Sequence, residues 1–305
     1  MPSRHRRQKT KAYTDPILIN RSEERRIVDL RPLGFRDVLV LCRYRYNEAH
    51  PALPLHSHGR MIEICYLESG RQTYRVGEQR FHLNGGDVFL TFPNERHDSA
   101  EGPEGRGVLY WMLLRVPGDH ERFLSLSPAD ARVVFDRLLN LTARQFPVGQ
   151  EIGGALRQVM ETFDCEKGPL RRIKLQNLLL RFLLEVLDAS HGMRRSVSPE
   201  IHAVQVLIAE NLQQPLPISR LARAAHMSES RFKARFKAEV GVPPADYAMR
   251  QRIDRSIQLL RDADQPVTGI AMSLGFSSTQ YFATVFRRYT GAAPTQCRRD
   301  LELNP

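Results

Sequence analysis

Two segments near the C-terminus repeat each other at a fixed offset of fifty residues. The repeat pairs Ser228 with Ser278, Phe232 with Phe282, Phe236 with Phe286, Gly241 with Gly291, and Pro244 with Pro294. An internal repeat indicates one supersecondary unit used twice. Each copy has a short apolar helical segment, a turn and a second helical segment. This pattern predicts two helix-turn-helix units, a common way to place a helix in a groove of DNA.

In the first unit, residues 218–225 are predicted to form the short helix. Ser228 is expected to cap the next helix, because its hydroxyl can accept from the free amides of the first turn. That helix is expected to end at Gly241. At about 100° per residue, Phe232 and Phe236 point into the core. The opposite face carries predicted base-reading residues (Ser230, Lys233, Ala234) and predicted phosphate contacts (Arg231, Arg235, Lys237).

In the second unit, residues 267–273 are the predicted short helix. Either Ser277, within a capping-box pattern, or Ser278, by the repeat offset, could cap the following helix. Phe282 and Phe286 are expected to face the core. The outward residues are predicted to read bases (Thr279, Gln280, Ala283, Thr284) and to contact phosphates (Arg287, Arg288).

A single helix is predicted between the two units, over residues 245–261. At about 1.5 Å per residue its length is about 25 Å. This length suits a brace that holds two recognition helices in successive major-groove segments, which lie about 34 Å apart.

Composition agrees with a DNA-binding protein. The chain has 305 residues, enough for about two domains, and a net charge of +11, which favours polyanionic partners. Its four cysteines form no CxxC pair, so neither a zinc site nor a disulfide framework is indicated. No signal peptide or membrane-spanning run is evident, so we expect a cytoplasmic protein without a membrane partner. Residues 1–26 form a predicted basic arm.

Between residues 38 and 114 the pattern is that of a β domain. Short apolar runs at 61–67, 72–76, 80–83 and 88–92 are separated by turn signals, among them Gly59, Ser69-Gly70, Gly77 and Asn84-Gly85-Gly86. Short strands at this spacing predict a sandwich or a barrel.

Residues 128–190 change to a helical period. Helices are predicted at 131–141, 151–163 and 170–189. The last helix carries an apolar stripe of Leu170, Ile173, Leu180 and Leu184, with Asn177 as its polar member. Packing on the β domain and packing across a dimer interface are both open, and we favour the dimer. Residues 191–199 are polar and read as a linker.

The β half also contains His56, His58, Glu63 and His97. Alternation along a strand puts His56 and His58 on one face. Three imidazoles and a carboxylate can hold a divalent metal. Direct contact with a small effector and simple packing of the β domain are the alternatives.

The C-terminal residues resemble the DNA-binding domain of the AraC/XylS family of bacterial transcription regulators. The resemblance is carried by Ile218-Ser-Arg-Leu-Ala, Met227-Ser-Glu-Ser-Arg-Phe, Gly241-Val-Pro-Pro, Gly275-Phe-Ser-Ser and Gly291-Ala-Ala-Pro. One departure is Gln296-Cys297-Arg298, where the family usually has an aromatic residue before the arginine. The spacing from His56 to Gly70 resembles the first cupin motif, and Gly86-Asp87 with Pro93 and His97 resembles the second, although Pro93 falls one residue late.

These resemblances imply an α+β multidomain fold. They imply a cupin-like barrel over 27–127, a helical packing or dimerisation segment over 128–190, a linker over 191–199 and an all-α tandem helix-turn-helix domain over 200–305. The implied function is a sequence-specific activator of transcription controlled by a small effector or a metal. The implied partners are double-stranded DNA, a second copy of the chain and RNA polymerase. A metal-dependent cupin enzyme fused to a DNA-binding domain is the main rival, and a ligand-free architectural DNA binder is another.

Overall fold

The computed structural model describes residues 23–303, except 101, 150, 151, 192–196 and 263. Most of the predicted basic arm and the centre of the predicted linker lie outside these residues. No helix in the described part of the chain is long and apolar enough to cross a membrane.

The N-terminal half is built from antiparallel strands. They are β1 (Arg25–Asp29), β2 (Val38–Tyr46), β3 (Met61–Val76), β4 (Gln79–Asn84), β5 (Asp87–Thr91), β6 (His97–Asp98), β7 (Gly107–Arg115) and β8 (Gln145–Pro147). The main sheet has the order β1-β2-β7-β3-β5-β8, and β4 and β6 pair with β3. The predicted β domain is confirmed.

Strand β3 corrects one expectation from the sequence. Ser69-Gly70 is not a turn: the strand continues through it, with a bulge between Leu67 and Ser69. Gly70 has φ of +105°, and a Cβ there would lie 2.4 Å from the carbonyl oxygen of Arg106. The bulge bends the strand, so its first part pairs with β5 and β7 while its second part pairs with β4 and β6.

The two faces of the main sheet belong to different cores. Along β7, Tyr110 and Met112 pack toward the helices, whereas Trp111 and Leu113 pack into the interior of the β domain. This is the period-two alternation of a strand buried on both sides. The interior core is the one that surrounds the histidine cluster described below.

Three helices follow the strands: α1 (Pro128–Leu139), α2 (Ile152–Cys165) and α3 (Pro169–Ser190). Helix α3 buries a face that includes Leu175, Leu179 and Phe182 in the same core as α2 and the sheet. Most of the stripe singled out from the sequence lies on the other side, where Leu170, Ile173 and Leu184 are 57%, 59% and 45% exposed. Leu180 is the exception, because it is half-buried and packs against this core.

The C-terminal half is helical: α4 (Pro199–Glu210), α5 (Ile218–Ala224), α6 (Glu229–Val240), α7 (Pro244–Leu260), α8 (Val267–Ser273), α9 (Thr279–Thr290) and α10 (Pro294–Leu303). Each helix-turn-helix unit has its own apolar core, and α7 contributes to both. Ser228 caps α6 and Ser278, not Ser277, caps α9. Gly241 and Gly291 end these helices in the left-handed conformation.

Candidate functional site

Helix α6 presents the outward face expected from the sequence. Phe232 and Phe236 are fully buried, while Ser230, Lys233 and Ala234 are exposed. The Lys233 ammonium lies 3.8 Å from Glu229, and both side chains are more than half exposed. Exposed pairs of this kind are weak, so Lys233 can leave its partner for another acceptor.

The three cations assigned to phosphate contact on α6 differ in their surroundings. Arg231 is exposed and Lys237 is half-buried. Arg235 donates to Glu239 at 2.7 Å and lies 3.5 Å from Glu200 of α4. Arg235 therefore already links α6 to α4 within the domain.

Helix α9 repeats the arrangement. Phe282 and Phe286 are fully buried. On the other side Gln280, Thr284, Arg287 and Arg288 are exposed, and Thr279 and Ala283 are half-buried. The Thr284 hydroxyl donates to the Gln280 carbonyl at 3.0 Å, which leaves its oxygen able to accept.

The β domain touches this second recognition helix, a contact that sequence reasoning missed. Arg288 Nε donates to the Asn47 carbonyl at 2.9 Å, and the Ala49 amide donates to the Arg288 carbonyl at 2.8 Å. A cavity of about 510 Å³ lies between the two domains, lined by Glu24, Asn47 and Glu48 on one side and Ala283, Thr284, Arg287 and Arg288 on the other. The outward face of α9 therefore lies opposite two carboxylates of the β domain.

A second contact joins the segment before β7 to α7 and α9. Arg106 Nη1 donates to the Tyr289 hydroxyl at 2.7 Å and is bound to the Asp246 carboxylate. The first unit is touched as well, because a Cβ on Gly85 would lie only 2.0 Å from the Gly241 carbonyl oxygen. A side chain at Gly85 would force the domains apart at this point.

In the interior of the β domain the predicted quartet comes together. The ligand atoms of His56, His58 and His97 lie within 4.8 Å of one another. Glu63 Oε2 lies 3.0 Å from His97 Nε2 and 3.6 Å from His58 Nε2. Backbone hydrogen bonds in both directions between His56 and His97 bring these residues together. His97 thus joins the cluster despite the late proline in its motif.

The electrostatics of the quartet favour an ionised Glu63 carboxylate. Burial raises the pKa of Glu63, but hydrogen bonds and charge from His58 and His97 outweigh it and leave that pKa well below its usual range. Burial, with the charge of His97, lowers the pKa of His56. His56 Nδ1 lies 2.8 Å from the Pro54 carbonyl, so Nδ1 donates and Nε2 is left to accept.

Little space remains beside the quartet. The cavity has a volume of about 20 Å³ and is lined by Tyr44, Leu53, His56, His58, Glu63, Tyr74, Glu104, Leu109 and Trp111. That volume suits one water molecule or one ion. Glu104 was not found from the sequence because it belongs to no motif; burial raises its pKa to about 7.

A β domain that encloses a cluster of histidines, joined to two helix-turn-helix units, defines a two-domain DNA-binding regulator. Residues 38–183 match the family described as the AraC-like ligand binding domain, and residues 221–300 match the helix-turn-helix domain. The chain belongs to the AraC family of transcription regulators.

Relatives of similar length carry regulator names. The HTH-type transcriptional activator RhaR of Pectobacterium carotovorum is 25% identical over 82% of this chain and 87% of its own length. The MmsAB operon regulatory protein of Pseudomonas aeruginosa is 24% identical over 77% of this chain and 74% of its own. Among solved structures, the DNA-binding domain of AdpA in complex with a target DNA is 28% identical, covering 35% of this chain and 96% of that one, with a TM-score of 0.33.

Proposed function

We propose that the chain activates transcription by reading two successive major-groove segments with α6 and α9. The observation that carries the proposal is the pair of capped helices, each with buried phenylalanines on one side and exposed polar and cationic side chains on the other. Bases would be read by Ser230, Lys233, Ala234, Thr279, Gln280, Ala283 and Thr284. Phosphates would be held by Arg231, Lys237, Arg287 and Arg288, and by Arg235 once it exchanges its carboxylate partners.

DNA selection followed by footprinting tests this function. Fragments of the source genome that bind the full-length protein should share a site. On that site the protein should protect two adjacent helical turns. Failure to protect any duplex at low ionic strength would refute the proposal.

We further propose that the β domain controls how available the DNA-binding half is. The contacts of Asn47 and Ala49 with Arg288 and of Arg106 with Tyr289 hold the two halves together. A duplex on α9 would have to displace Glu24 and Glu48 from their place opposite Arg287. An effector acts by favouring one of these arrangements over the other.

For the quartet we propose a divalent metal rather than an organic effector. Three imidazoles and one carboxylate suit zinc or another first-row divalent ion, and the cavity of about 20 Å³ is too small for a sugar. His56, His58, Glu63 and His97 would hold the ion. Elemental analysis of untagged protein should find about one ion per chain. Its absence would leave the quartet as packing or as a water site.

The exposed stripe of α3 is the proposed dimer interface. Leu170, Ile173 and Leu184 lie along one side of a 22-residue helix whose opposite face is already buried. A second copy of the chain, antiparallel or parallel, could cover the stripe. Light scattering should give a dimer for the wild type and a monomer for Ile173→Arg. Contact with RNA polymerase and a cytoplasmic location are proposed from the family alone.

A further inference from the structure

A second, larger cleft lies between the β domain and the DNA-binding half. Its volume is about 640 Å³, within the range of about 300–1,000 Å³ typical of small-molecule sites. One wall is formed by β3, β4 and the segment before β7, and the other by α7 and the end of α9. The cleft shares no lining residue with the small cavity beside the histidine quartet.

The wall of this cleft is strongly cationic. Arg71 and Thr73 of β3 stand opposite Asn84 and His82 of β4, so their side chains share one face of the pair. Arg80 lines the cleft from β4 and Arg250 from α7, whereas Asp254 is the one carboxylate among the lining residues that the structure describes. Among the described lining residues, three arginines therefore stand against one carboxylate.

Several donors on this wall have no acceptor within the part of the chain that the structure describes. They are Nε and Nη2 of Arg250, Nε of Arg71 and Nε2 of Gln72, all with their nitrogen atoms buried. Arg250 otherwise lies over the ring of Tyr289 at 5.4 Å. Arg71 lies 3.8 Å from Asp254, too far for a hydrogen bond. Buried charged donors are normally paired with protein, water or an ion.

The guanidinium groups of Arg71 and Arg250 also repel each other electrostatically. Burial lowers the pKa of Arg250, and the charge of Arg71 lowers it further, while Asp246, Asp254 and Tyr289 act in the other direction. An anion placed between the two arginines would relieve this repulsion and accept from the donors that lack a partner.

We propose that this cleft binds a small organic anion, with a carboxylate or phosphate group held between Arg71 and Arg250. Guanidinium groups present forked donors that match both oxyanions. Leu83, Pro103 and Ile257 supply apolar surface for a short carbon body. The site is separate from the DNA-reading helices and from the metal site proposed above.

Such a ligand would bridge the two domains. Arg71 belongs to the β domain and Arg250 to α7, so an anion bound to both stabilises the arrangement in which Asn47 contacts Arg288. The bound anion therefore lowers the affinity for DNA. Because the two binding equilibria are linked, bound DNA lowers the affinity for the anion by the same factor.

Calorimetric titration of the full-length protein at constant ionic strength tests the site. The probes are inorganic phosphate, citrate, benzoate and phenyl phosphate, with benzamide as the neutral counterpart of benzoate. At least one anion should bind with one site per chain, and benzamide should not. Binding by the two phosphates alone, or by the two carboxylates alone, identifies the preferred group.

Matched variants locate the binding. Arg71→Gln and Arg250→Gln should each lower the affinity for the anion at least tenfold. Arg250→Lys should lose less affinity than Arg250→Gln, because it keeps the positive charge. Arg132→Gln should change nothing, since Arg132 pairs with Asp119 on an exposed surface, with side chains 56% and 82% exposed. Circular dichroism confirms folding, and if Arg250→Gln unfolds, Arg71→Gln decides.

Two results would overturn the proposal. One is that none of the four anions binds the wild type, and the other is that the glutamine variants bind as tightly as the wild type. A saturating anion should also reduce DNA affinity in the wild type more than in Arg250→Gln. An equal reduction in both would mean simple ionic competition and would count against a bridging site.

Discussion

The contact of Arg106 with α7 and α9 offers the sharpest test of how the two halves communicate. Arg106 Nη1 binds both Asp246 and the Tyr289 hydroxyl, and the arginine and aspartate side chains are only 24% and 19% exposed. Replacing Arg106 with glutamine removes the charge and withdraws the donor from Asp246 and Tyr289, because the glutamine side chain is two bonds shorter, while it keeps a polar side chain at this position. We expect the domains to separate more readily in this variant.

The size of the effect follows from the contact. A hydrogen bond to a charged group contributes about 1.5–3 kcal/mol when it is partly shielded from water. A loss of about 2 kcal/mol changes the ratio of closed to open forms about 30-fold, since each 1.4 kcal/mol is a factor of ten. If only the open form can place α9 on DNA, the apparent dissociation constant falls by up to the same factor.

Fluorescence anisotropy with full-length protein and a selected DNA site measures this change at fixed salt. Removing a cation by itself weakens DNA binding, so a gain in affinity for Arg106→Gln cannot be a simple charge effect. Tyr289→Phe changes no charge and removes only the hydroxyl. It should strengthen binding in the same direction by about fivefold, which corresponds to about 1 kcal/mol.

Arg132→Gln serves as the control, because it also removes one cation but from an exposed pair within the β half. Its affinity should equal that of the wild type or fall slightly. If Arg106→Gln and Tyr289→Phe both bind DNA no better than this control, the contact does not restrain the DNA-binding half and the reasoning fails.

Three further predictions concern the reading face, the core and the pH response. Lys233→Ala should weaken the free energy of binding to specific DNA by about 1–3 kcal/mol and relax the sequence preference at one base step. Arg287→Ala should instead weaken binding to specific and random DNA alike and flatten the salt dependence of binding. If both variants behave alike in binding assays with specific and random DNA, the assignment of Lys233 to bases and Arg287 to phosphates is wrong. Phe286→Ala should lower the free energy of unfolding by about 3–5 kcal/mol in urea titrations, against less than about 0.5 kcal/mol for exposed Gln280→Ala. The Glu104 pKa is raised from 4.5 to about 7, so the native state binds the extra proton and loses stability as pH rises across that interval. Glu104→Gln should remove this loss, which amounts to about 3 kcal/mol in the free energy of unfolding. If the free energy of unfolding of the variant still differs between pH 4.5 and pH 7 as much as that of the wild type, the assignment to Glu104 is refuted.

The helical half of the fold could be predicted closely because its signals are local. Ser228 and Gly241 mark the ends of α6 through caps that act within one turn. The buried phenylalanines follow from the period of the helix. The choice between Ser277 and Ser278 depended on one hydrogen bond, from the Tyr281 amide to the Ser278 hydroxyl, and two serines in a row left it open.

The β half was harder because its signals are ambiguous. Gly70 permits a positive φ, which a turn and a β-bulge both use, so the pattern could not show that β3 continues through it. Strand β8 has only three residues, Gln145–Pro147, and no alternation to detect. Glu104 lies far in sequence from the quartet whose cavity it lines, so spacing could not reveal it.

Contacts between the halves had no sequence signal at all. Arg106 and Tyr289 are 183 residues apart, and neither belongs to a motif that would pair them. The quartet, in contrast, could be proposed from spacing, since the two resemblances to cupin motifs marked His56, His58, Glu63 and His97. The small size of its cavity could not be predicted from the sequence, because Tyr44, Tyr74 and Trp111 fill the interior only once the strands are folded around them.

The quartet cavity and the contacts on α9 share the same stretches of backbone. Glu104 lines the cavity, and its backbone is hydrogen-bonded in both directions to that of His50. The neighbours of these two residues make the interdomain contacts, since Ala49 donates to Arg288 and Arg106 binds Tyr289. A ligand that moved Glu104 would therefore shift both contacts at once, whereas an ion held only by imidazoles and Glu63 would not need to. For this reason we expect a metal in the quartet to stabilise the β domain, and the switch between arrangements to depend on ligands that reach Glu104 or the interdomain cleft.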